Sequence, residues 1–113
     1  METESATLPL ACALSPGEYA QRMREFRRLF AAALRDHRRE PNRLRLVLDN
    51  DGGREKATRD LLRREQECCP HFTFEVEATR DAVIVDAGVP AGAESYLDDL
   101  ERMAARAAAG RRA

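Results

Sequence analysis

Apolar residues follow two different spacings along this chain, and their alternation predicts a domain built from both strands and helices. A spacing of two, typical of half-buried strands, runs through Leu8–Leu14, Arg43–Leu48, Phe72–Ala78 and Val83–Ala87. Spacings of three and four, typical of amphipathic helices, occupy most of the remaining chain. The pattern therefore predicts four strands separated and followed by helices.

The first predicted helix begins at Ser15 and ends before Pro41. Ser15 and Glu18 have the spacing of a capping box, and Pro16 stands at the first helical position. Apolar and aromatic positions three and four residues apart define its buried face: Tyr19, Met23, Phe26, Phe30, Ala33, Leu34 and His37. The spacing thus predicts one continuous helix up to the segment before Pro41.

Two more helices follow. The second is predicted from about Gly53 to Cys69, because turn residues precede it and Pro70 cannot continue it. The third is predicted from about Tyr96 to Gly110. The predicted order of elements is β-α-β-α-β-β-α.

The polar face of the strands decides the fold class. Leu44, Leu46 and Leu48 alternate with more polar residues, whereas parallel strands covered on both sides are usually apolar throughout. We expect an α+β fold: a two-layer α/β sandwich in which a mixed or antiparallel four-stranded sheet carries the helices on one face. The domain is predicted to span 8–109, with a disordered tail at 1–7 and a second tail at 110–113.

Composition and charge narrow the class of partner. The chain of 113 residues has a formal net charge of −1, so it has no overall attraction to nucleic acid. Its basic clusters are interspersed with acidic residues, and no nucleic-acid-binding motif accompanies them. The first residues lack the pattern of an export signal, and no apolar run approaches the roughly 20 residues that span a bilayer. We expect a cytoplasmic protein without a nucleic acid or a membrane as partner.

The adjacent thiols of Cys68 and Cys69, at the end of the second helix, are the strongest chemical signal in the sequence. Glu65 lies one helical turn before both, so its carboxylate is predicted to approach them. Phe72 is expected to help close an apolar wall over the pair, and Cys12 lies on the inward face of the first strand. A cluster of three thiols is therefore geometrically conceivable.

Reduced thiols in a cytoplasmic protein suit a soft ion. Thiolates select copper(I), zinc and iron–sulfur centres, and the same softness favours mercury(II) and arsenic(III). Cys12 and His71 would complete a four-ligand zinc site, although the usual spacing of two residues between cysteines is absent. The candidate metal ligands are Cys68, Cys69, Cys12, Glu65 and His71.

Two other functions remain open. One is a thiol-dependent redox enzyme with a cysteine as nucleophile and Glu65 as base, although thiols with a low pKa usually lie at a helix N-terminus. The other is an accessory interaction domain in which the cysteines only fill the core. The open sheet face around Arg43, Arg45, Glu75 and Glu77 would then contact a partner, or a second copy in a homodimer.

Two segments resemble those of a family of small uncharacterised bacterial proteins: Glu65-Gln66-x-Cys68-Cys69-x-x-Phe72-x-Phe74 and, before it, Cys12-x-Leu14-Ser15-Pro16-x-Glu18. Relatives of this family are associated with heavy-metal and metalloid resistance regulators. The similarity covers about residues 10 to 103 and implies that Glu65, Cys68 and Cys69 belong to the family motif. The favoured prediction is a protein that binds a soft metal or metalloid ion, or a small thiol-reactive ligand, through these cysteines.

Overall fold

Three helices and four strands account for most of the described chain. The computed structural model describes residues 14–112. Its elements are α1 (Pro16–Ala33), β1 (Leu34–Glu40), β2 (Arg43–Asp49), α2 (Arg54–Cys68), β3 (Thr73–Ala78), β4 (Ala82–Gly88) and α3 (Glu94–Arg112). In the described range the order is therefore α-β-β-α-β-β-α. The strand predicted from Leu8 to Leu14 lies outside this range apart from Leu14, which is not in a strand.

All four strands form one antiparallel sheet in the order β1-β2-β4-β3. The central strands β2 and β4 align their apolar residues opposite one another in three buried pairs. These pairs are Leu44 with Ala87, Leu46 with Val85, and Leu48 with Val83. The period-two pattern of the sequence thus places one continuous apolar surface on one side of the sheet.

The helices cover this apolar face and leave the other face open. Helix α3 packs on β1 and β2, α2 packs on β3, and α1 lies between α2 and α3. On the opposite face Arg43, Arg45, Glu75 and Glu77 are exposed, and Arg45 donates two hydrogen bonds of 2.9 Å to the carboxylate of Asp86. The predicted α/β sandwich with helices on one face is confirmed.

Helix α1 begins as predicted. The Glu18 backbone N–H donates to Ser15 Oγ at 3.2 Å, and the Ser15 backbone N–H donates to Glu18 Oε1 at 2.9 Å. This reciprocal pair is a complete capping box, and Pro16 follows it at the first helical position. The first turn of α1 is therefore fixed by its own sequence.

The prediction that this helix continues to Pro41 is wrong, because Leu34–Glu40 forms strand β1. The backbone becomes extended at Leu34, and a register shift between Leu34 and Asp36 marks a bulge before regular pairing with β2. Arg39, opposite Leu44 on the inner face, donates hydrogen bonds to Asp98 at 2.8 Å and Glu101 at 2.9 Å on α3. Pairing and these long-range contacts override the helical spacing.

The remaining elements agree closely with expectation. Helix α2 begins after Gly53, whose φ of 73° lies in the left-handed region that glycine adopts easily, and it ends at Cys68. Helix α3 runs two residues beyond its predicted end at Gly110. No helix within 14–112 is long and apolar enough to cross a membrane.

The one-sided core leads to a prediction for two residues on β2. We expect Leu44→Ala, at a fully buried site, to lower the free energy of unfolding by about 2–5 kcal/mol. Val47→Ala, on the open face, should cost about 1 kcal/mol or less, since little packing is lost there. Urea denaturation of both variants measures the difference, and equal losses would contradict a core on one face only.

Candidate functional site

The two adjacent cysteines lie where α2 gives way to a tight turn. Cys68 is the last residue of the helix, and Cys69 is its C-cap, with φ −131° and ψ 89°. The Cys69 N–H still donates to the Glu65 carbonyl oxygen at 2.8 Å, and its own carbonyl accepts from the Phe72 N–H at 3.2 Å. This change of backbone direction separates the two side chains by environment. Cys68 is half-buried, whereas Cys69 is only 1% exposed and belongs to the core.

Aromatic rings surround the turn that follows the cysteines. Phe72 is buried and stacks on Phe74 with ring centroids 5.0 Å apart. Tyr96 of α3 packs against Phe72 in a T-shaped arrangement with ring centroids 5.7 Å apart, and it stacks on His71 with centroids 4.9 Å apart. His71 is itself exposed, so its ring covers Tyr96 from the solvent side. The predicted ligand His71 is therefore held by an aromatic neighbour at the surface.

Glu65 forms a buried ion pair that the sequence did not predict. The Glu65 Oε1 atom accepts a hydrogen bond from Arg22 Nη1 at 2.7 Å, and both side chains are about nine-tenths buried. Arg22 lies on α1 at the same face as Phe26 and Phe30, four and eight residues later. The carboxylate expected to approach the thiols is thus engaged by an arginine of the neighbouring helix.

Burial dominates the electrostatics of this pair. Removal from water raises the pKa of Glu65 above its usual value, and the hydrogen bond and positive charge of Arg22 only partly offset that effect. The ion pair therefore depends on both partners being present. If one is removed, the other is left as an isolated charge in the core.

A small cavity of about 20 Å³ adjoins the ion pair, with room for a single water-sized group. Its polar lining comes from Tyr19, Glu65, Tyr96 and Asp99, and its apolar lining includes Phe72. Burial raises the pKa of Asp99, and it also raises the pKa of Tyr19, with further contributions from the charges of Asp99 and Glu65. Polar groups thus accumulate between the three helices, one turn of α2 away from the thiols.

Four of the five candidate ligands lie in one region of the structure, and the fifth lies outside the described residues. Glu65, Cys68, Cys69 and His71 all lie at the C-terminal end of α2 or in the turn after it. Cys12 precedes the described range. Among residues 14–112, no group of three or more histidine, cysteine, aspartate or glutamate side chains is arranged to hold a metal ion.

Sequence reasoning missed Arg22 as part of this region. The signal was present, because an arginine that shares the i, i+4, i+8 positions of Phe26 and Phe30 lies on a buried helix face and requires an acidic partner there. Which carboxylate supplies that partner could not be read from spacing.

Comparison of the chain with models of protein families, with characterised proteins and with solved structures found no match.

The ion pair generates a prediction about pH. A carboxyl whose folded pKa is raised binds protons more tightly when folded, so its contribution to stability falls as the pH rises through that pKa. Arg22→Met removes both interactions that lower the pKa of Glu65. We therefore expect the variant to lose more stability relative to wild type at pH 7 than at pH 5, with a loss at pH 7 of about 3–5 kcal/mol.

Urea denaturation at the two pH values measures this difference. Arg24→Met is the matched control, because Arg24 lies exposed on the same helix. Arg24→Met should change the free energy of unfolding little at pH 5 and at pH 7. A loss for Arg22→Met that is the same at pH 5 and pH 7 would contradict the assignment of Glu65 as the responsible group.

Proposed function

We propose that the chain binds a thiophilic metal or metalloid ion through Cys68 and Cys69. The observation that carries the proposal is the adjacency of two thiols at the end of α2, one half-buried and one in the core. Once one sulfur has bound an ion, the second bond forms within the same molecule at a high effective concentration. Each thiol releases one proton to solvent and forms one metal–sulfur bond, with no change in oxidation state.

The electrostatic field at the end of α2 favours a bound cation over a cysteine activated as a nucleophile. The carbonyl end of a helix carries partial negative charge, which favours a bound cation and disfavours a bare thiolate. The last turn of α2 contains no basic residue. Two arginines one turn earlier are already neutralised: Arg63 pairs with Asp60 and Glu67, and Arg64 pairs with Asp60 and Glu25.

The other candidate ligands have supporting roles beside the two thiols. Glu65 positions α2 against α1 through Arg22, so it acts on the thiols by fixing the helix that carries them. His71, exposed and stacked on Tyr96, and Cys12 are further ligands only for an ion that accepts more than two. The two thiols of α2 are therefore the primary ligands.

This proposal predicts a definite order among cysteine variants. Reduced wild type should bind mercury(II), arsenic(III), copper(I) or zinc(II) at one ion per chain in native mass spectrometry. Cys68→Ser and Cys69→Ala should each weaken capture at least tenfold, and Cys12→Ser should weaken it far less, because Cys12 must be delivered by the rest of the fold. Alanine is chosen at position 69 because a serine hydroxyl would be buried there.

The titrations are run with a phosphine reductant and with dithiothreitol as the competing thiol. Thermal melts of all four proteins establish that each variant is folded. Equal, weak and competitor-sensitive binding in wild type and all three variants would overturn the proposal. The cysteines would then be packing residues or redox groups.

A further inference from the structure

A groove of about 480 Å³ runs between α1 and α3. Along α1 it follows Tyr19, Met23, Arg27 and Ala31, which are spaced four residues apart. That row is about 18 Å long at a rise of about 1.5 Å per residue. The opposite wall is a matching stripe on α3 with spacings of three and four: Asp99, Arg102, Met103, Arg106 and Ala107.

The floor of the groove is apolar and adaptable. Met23 of α1 and Met103 of α3 both line it, and both are half-buried and packed against the core. Methionine side chains repack easily around an incoming apolar group. At one end, Ala31 and Ala107 are small enough to allow close approach of another backbone. The floor therefore suits an elongated apolar surface.

The rim of the groove is basic on both walls. Arg27 on α1 and Arg106 on α3 are exposed, and among the side chains described for residues 14–110 neither has a hydrogen bond or an ion pair. Arg102 is paired with Asp99 at 3.1 Å, so that pair adds little net charge. Two guanidinium groups without a carboxylate partner thus flank an apolar floor. A partner surface that matches this groove has an apolar stripe bordered by carboxylates.

We propose that this groove binds an amphipathic helix of a partner protein whose apolar stripe is flanked by aspartate and glutamate. A helix lies along such a trough with anchors three and four residues apart, and it buries its stripe against Met23 and Met103. The groove is more open than an enclosed cavity, so a small ligand would keep much of its surface in water. The proposal is independent of the thiols, since no groove residue is a candidate metal ligand.

The test uses three fluorescein-labelled peptides of 18 residues with blocked ends. The first carries leucines three and four positions apart with glutamate on both flanks of the stripe. The second has the same composition in scrambled order, and the third replaces every glutamate with lysine. Fluorescence anisotropy at fixed ionic strength measures the dissociation constants. The glutamate peptide should bind at least tenfold more tightly than the scrambled peptide and the lysine peptide.

Charge reversal locates the binding surface. Arg27→Glu with Arg106→Glu should weaken the glutamate peptide about tenfold or more and should tighten the lysine peptide. The matched control is Arg24→Glu with Arg28→Glu, which reverses two exposed charges of α1 outside the groove lining. Both double variants should retain the wild-type melting behaviour, because all four side chains are exposed. Met23→Gln with Met103→Gln should also weaken the glutamate peptide.

Three results would each overturn the proposal. The first is equal binding of the stripe and scrambled peptides. The second is an equal loss in the two charge-reversed proteins, which would indicate unspecific attraction. The third is a dimer in sedimentation equilibrium that Arg27→Glu with Arg106→Glu dissociates, because a second copy would then be the occupant of the groove.

Discussion

The sheet has a single apolar face, and that constraint determines how the helices are arranged. Leu44, Leu46 and Leu48 on β2, with their partners on β4, leave only one surface that must be removed from water. All three helices share that surface, so α1 is confined between α2 and α3. One flank of α1 therefore meets α2 through a buried ion pair, and the other forms a groove with α3. Both features follow from crowding three helices on one side.

The buried pair of Arg22 and Glu65 gives this crowded layer a defined register. A salt bridge in a core contributes little net stability, because the cost of taking two charges out of water offsets their attraction. It is nevertheless selective, because any sliding of α1 along α2 would leave both charges without a partner. The position of the thiols at the end of α2 therefore depends on a contact between two other side chains.

Much of the fold was accessible from the sequence because its signals are local. The capping box of α1, the proline after α2 and the alternation in the hairpin of β3 and β4 each lie within a few residues of the structure they specify. The candidate site was proposed from a local signal as well, since the adjacency of Cys68 and Cys69 is a property of the chain itself. The turn between Cys69 and Phe72 is also a local feature, because Pro70 cannot continue the helix.

Features that depend on distant residues could not be predicted in this way. Strand β1 has only Leu34 as a strongly apolar residue, and the spacing of Leu34 and His37 also continues the helical pattern of α1. Its strand form depends on pairing with β2 and on bonds from Arg39 to α3, about sixty residues away. The partner of Glu65 is 43 residues away. Spacing within one element contains no information about either contact.

The unusual polarity of β1 has a consequence for the behaviour of the protein at high concentration. Within residues 14–112, β1 is an edge of the sheet, and an edge strand presents unpaired backbone groups to which another chain can add. Four exposed charged side chains on this short strand would have to be desolvated or brought against like charges by such an addition: Arg35, Asp36, Arg38 and Glu40. The same charges that make this segment look unlike a strand thereby protect the sheet from growing into an aggregate.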